Sequence, residues 1–114
     1  NAAARDIALA FGVPPLMLGL PGDNTHANYR EANRAFYRLT VMPLASRLAD
    51  ALAAWLGPLE GEAIRLVPDV DQVDALAEER TAVWARVNAA GFLSEAEKRV
   101  AVGYQPERVE GDSA

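Results

Sequence analysis

Few residues in this chain of 114 have types that could do chemistry, and their spacing decides what kind. The single histidine, His26, stands in "GDNTHAN" beside Asp23 and Thr25. With no second histidine and no cysteine, it cannot complete a zinc set without carboxylates supplying the rest. "GLPGDN" is rich in glycine but lacks the Lys-Ser/Thr of a phosphate-cradling loop. "PDVDQVDALAEE" clusters carboxylates, yet the turn glycine and the spaced bidentate glutamate of a calcium loop are missing. Its acids read as helix-start charges favoured by the dipole. The sequence therefore predicts no catalytic residue, no metal site and no cofactor. What remains is basic: Arg30, Arg34 and Arg38 repeat every four residues, a stripe roughly opposite Tyr29, Ala32 and Phe36 on a helix. Such a stripe is either a solvated face, with Glu31 pairing Arg34, or a contact with an acidic neighbouring subunit or phosphate.

Composition bounds the protein that holds these residues. Its length suits one small domain with a modest core. Half of it is hydrophobic, which argues for a folded, helix-rich chain. The absence of cysteine excludes disulfide frameworks and thiol nucleophiles, and fits a reducing compartment. No apolar run approaches the roughly 18 residues of a membrane helix, and no signal peptide is visible. The net charge of −5 argues against a free nucleic-acid-binding module. That charge is uneven: residues 1–47 hold five arginines against three carboxylates, whereas residues 48–114 hold six basic groups against thirteen acidic ones.

The elements that must position these residues follow from periodicity and punctuation. Residues 3–11 read as a helix end with Ile7, Ala8 and Phe11 on one side and Gly12 as the stop. Pro14 and Pro15 start a short turn through Leu18, and Gly19, Pro21 and Gly22 break it. Asp23, Asn24, Thr25 and Asn28 are loop and capping types. A long helix is expected from about Ala27 to Leu56, with Val41, Leu44, Leu48, Leu52 and Trp55 inward, a kink at Pro43, and an end at Gly57–Pro58. Trp55 and Trp84 are expected as core anchors. "EAIRLVP" alternates Ile64 and Leu66 around Arg65 and reads as one short strand. One strand cannot satisfy its own backbone, so its partners must lie outside these residues. Asp69 or Asp71 is expected to cap a helix reaching about Ala90, with Val73, Leu76, Val83, Trp84 and Val87 inward. Ser94 and Glu97 form a capping-box pattern for a helix over 95–102. The fold class is mainly α, part of an α+β whole. The orphan strand, and a start inside a helix without methionine, predict a piece of a longer chain.

Taken in order, these pieces resemble the portal proteins of tailed phages, prophages and gene transfer agents. "IALAFGVPPLMLGLPGDNTHANYREANRAFYRLTVMPLASRLADAL" matches a pattern of a helix ending in Phe-Gly-Val-Pro-Pro and a Leu-Gly turn. A polar Thr-x-x-Asn-Tyr loop, a Phe-Tyr helix and a Thr-Val-x-Pro-Leu continuation follow. "GFLSEAEKRVAVGYQP" is similar to the family's later Gly-x-Leu-Thr motif, with Ser94 and Ala96 in place of the usual Thr and Asn.

The resemblance implies a subunit of a homo-oligomeric ring, typically of twelve, at a capsid vertex of a virion or phage-like particle assembled in the bacterial cytoplasm. Double-stranded DNA would be packaged and ejected through its channel. The terminase large subunit, a head-tail adaptor and the major capsid protein would be partners, and no membrane would be involved. By the same analogy, residues 1–70 are channel helix, tunnel loop and wing strand, and residues 71–114 the crown-side helices. Asp23, Asn24, Thr25, His26 and Asn28 would form a DNA-facing tunnel loop, and Arg30, Arg34 and Arg38 a subunit-interface or phosphate-contact stripe. The alternative is a helical adaptor or regulatory module that is not part of a virion; it predicts a segment that folds alone.

Overall fold

A computed structural model describes residues 2–20 and 25–105. The chain divides into two compact units, Asn1–Leu76 and Ala77–Ala114.

In the first unit, α1 (Ala2–Ala10) ends where Gly12 takes a left-handed φ of +68°. The Val13 N–H then reaches back to the Ala8 carbonyl at 2.8 Å, closing the orphan carbonyls of the last turn. A 3-10 turn, Pro15–Leu18, begins on a proline that needs no N–H partner and stops at Gly19. Next comes one continuous helical stretch, His26–Glu60. It comprises α2 (His26–Phe36), a single π turn (Tyr37–Val41) and α3 (Met42–Glu60). The irregularity expected at Pro43 takes the form of this π turn. An α-helical Pro43 would press its ring on the Leu39 carbonyl, and the wider turn just before it, closed by Met42 N–H to the Tyr37 carbonyl, gives the ring room.

Four expectations are corrected. The long helix does not end at Gly57–Pro58 but runs to Glu60. Its stop is Gly61, whose positive φ of 74° lets its N–H bond the Gly57 carbonyl. Gly57 is buried; a Cβ there would stand 3.1 Å from the Glu62 carbonyl oxygen, so the turning chain packs onto bare backbone. The strand expected at 62–67 is not formed: among the described residues there is no β-ladder, because no second segment lies alongside. Its alternation survives in burial, since Ile64 and Leu66 are half-buried while Ala63, Arg65 and Val67 are exposed. In α1, Ala8 is buried and Ala4 half-buried, whereas Ile7, and Phe11 just beyond the helix, are exposed. Finally, Leu44, Leu48, Leu52 and Trp55 do not face a core. They lie open on α3, and the half-buried side of that helix is made of Ala45, Ala49, Ala53 and Leu56.

Asp69 accepts the Asp71 N–H at 3.1 Å and starts a 3-10 turn, Val70–Gln72. A second such turn, Asp74–Leu76, packs on α2 and the π turn and buries Leu76.

The second unit holds α4 (Ala77–Ala89) and α5 (Glu95–Ala101). The α-helix thus starts later than the acidic cap predicted. Ser94 and Glu97 make the full capping box: the Ser94 hydroxyl accepts the Glu97 N–H at 3.2 Å, and the Glu97 carboxylate accepts the Ser94 N–H at 2.7 Å. Arg80 donates to the Val102 carbonyl at 2.7 Å, tying α4 to the end of α5. Trp84 is not a core anchor: it is 45% exposed and meets Tyr104 edge-on at 5.7 Å.

Among the described residues the buried hydrophobic core is only Ala8, Leu76 and Val102, whereas sixteen large hydrophobic side chains are exposed. So thin a core cannot offset the roughly 1–2 kcal/mol of backbone entropy lost per ordered residue.

Candidate functional site

The described residues on either side of the polar segment are braced. On its entry side, the root is Gly12. The Thr40 hydroxyl, inside the π turn, donates a 2.7 Å hydrogen bond to the Gly12 carbonyl across 28 residues of sequence. A Cβ on Gly12 would sit 2.6 Å from the Thr40 Oγ1, and the positive φ disfavours any side chain, so both geometry and space require glycine. The short 3-10 turn after it packs on both α1 and α2. On the exit side, Thr25 is the N-cap of α2 and its side chain accepts the Asn28 N–H at 3.1 Å. Proline, glycine and a cap therefore hold both ends of the polar segment.

Within that frame, Thr25 and His26 are exposed, His26 being the first residue of α2, and Asn28 lies half-buried in its first turn. Asp23 and Asn24 lie outside the described residues. The sequence motif "TVMPL" contained Thr40 but carried no cue that its hydroxyl braces Gly12; only the π turn that Pro43 calls for reveals it.

The three arginines are not equivalent. Arg30 and Arg38 are exposed, whereas the Arg34 side chain is 20% exposed and pairs with Glu31 at 3.1 Å, the local i,i+3 pair that helix spacing allows. Arg38 lies within the π turn. Arg34 is thus the inward member of the three, and Arg30 and Arg38 reach the surface. A surface pair of this kind is worth about 0–1 kcal/mol, so it orients Arg34 more than it stabilises the helix.

Below the π turn, Asn33, Tyr37 and residues 72–75 line an open groove of about 360 Å³. A larger hollow of about 760 Å³ lies between α3 and the chain that turns back from it, lined by Ala53, Ala54, Gly57, Pro58 and Glu62–Leu66. Neither is lined by a serine, threonine, lysine or histidine. Among the described residues, no group of three or more histidines or carboxylates is placed to hold a metal ion.

Comparison with known proteins places this arrangement. The family model described as phage portal protein matches residues 1–103. An uncharacterized protein of Rickettsia bellii (strain RML369-C) is 45% identical over 99% of this chain and 29% of its own length. The portal protein of Escherichia phage T5 is 32% identical over 68% of this chain and 17% of its own. A chain in the neck of the native GTA particle, computed with twelvefold symmetry, is 64% identical. It superposes with a TM-score of 0.72 over 93% of this chain and 29% of that one. The chain thus spans under a third of the length of these relatives.

Proposed function

Because this chain belongs to the phage portal protein family, we propose that it is part of a portal subunit: one member of a ring at the capsid vertex through which double-stranded DNA is packaged and ejected. The observation that carries the reading is the 64% identity and shared fold with a chain of a gene-transfer-agent neck. The protein's task is then structural and conducting, without catalysis of its own. The terminase large subunit docks on the ring during packaging, a head-tail adaptor docks afterwards, and the major capsid protein surrounds it.

Within the subunit, residues 1–70 supply channel helix, loop and wing, and residues 71–114 the crown-side helices. The polar start of α2, at Thr25 and His26, faces DNA. Its chemistry suits a sliding contact: Thr25, His26 and Asn28 offer short polar groups, whereas each neutralised phosphate would add affinity and stall movement. Arg30, Arg34 and Arg38 then serve the contact with the next subunit.

The vertex assignment is tested by labelling particles with an antibody against the full-length protein. One labelled vertex per particle is expected; label spread over the shell, or none, overturns it.

A further inference from the structure

We draw no further inference here: the strongest candidate, the exposed apolar stripe of Leu44, Leu48, Leu52, Trp55 and Leu59 along α3, carries none, because nothing in the structure shows what covers it.

Discussion

The Thr40 hydroxyl bonds the Gly12 carbonyl at 2.7 Å, joining a π turn in a long helix to the point where the preceding helix ends. Two irregularities that look unrelated in sequence, a glycine stop and a proline within a helix, are thereby one device. Pro43 calls for the wide turn, the wide turn carries Thr40, and Thr40 meets a carbonyl that only a left-handed glycine presents so closely.

Gly12→Ala should therefore cost more than loss of helix-stop geometry alone. A left-handed alanine costs about 1–2 kcal/mol, and its Cβ must also displace the Thr40 hydroxyl. Thr40→Ala removes one hydrogen bond, about 1 kcal/mol, and makes room for that Cβ. In native-state hydrogen exchange of the full-length protein, the Val13 N–H should exchange at least roughly 5- to 30-fold faster in Gly12→Ala, the factor that the left-handed cost of 1–2 kcal/mol alone implies. The penalty of Gly12→Ala should shrink in a Thr40→Ala background; strict additivity would show that the two residues do not act together.

The capping box at Ser94 and Glu97 gives a pH dependence of definite sign. The Ser94 N–H, and secondarily its hydroxyl, hold the Glu97 carboxyl below the usual carboxylate range. A carboxyl depressed on folding contributes stability above its ordinary value, near 4.3, and loses it as pH falls through the lower folded value. Amides at the start of α5 should thus lose protection between about pH 4.3 and more acid conditions, and Glu97→Gln should flatten that dependence. Ser94→Ala should weaken the same amides by about 1 kcal/mol at neutral pH. Unchanged acid sensitivity in Glu97→Gln would place its origin elsewhere.

How much of this was legible in the sequence depended on whether the cause was local. Gly12 as a stop, Thr25 as a cap and the Ser94–Glu97 box are set within four residues, and each was readable. The side of α3 that faces a core was not. Periodicity shows that Leu44, Leu48, Leu52 and Trp55 share a face, but not whether the covering protein is in the same stretch of chain. Pro58 misled for a related reason: in the last turn few further hydrogen bonds are at stake, and Gly61 sets the stop. The Ile64–Leu66 alternation was real, yet a strand exists only beside another. The Thr40–Gly12 bond spans 28 residues and follows from no local rule.

The loop proposal separates packaging from assembly. Acidic or bulky replacements from Asn24 to Asn28 should reduce DNA packaged per particle severalfold, because they crowd or repel a passing phosphate backbone, while ring formation stays normal. Normal packaging with a loop so altered would remove its DNA-facing role.

The central claim is that this chain belongs to one subunit of a closed ring, and the native mass of the purified full-length protein tests it most directly. A single dominant species of about twelve subunits, seen as a ring with an open channel by electron microscopy, is the predicted result. A compact, stable monomer at concentrations well above those of assembly would contradict it.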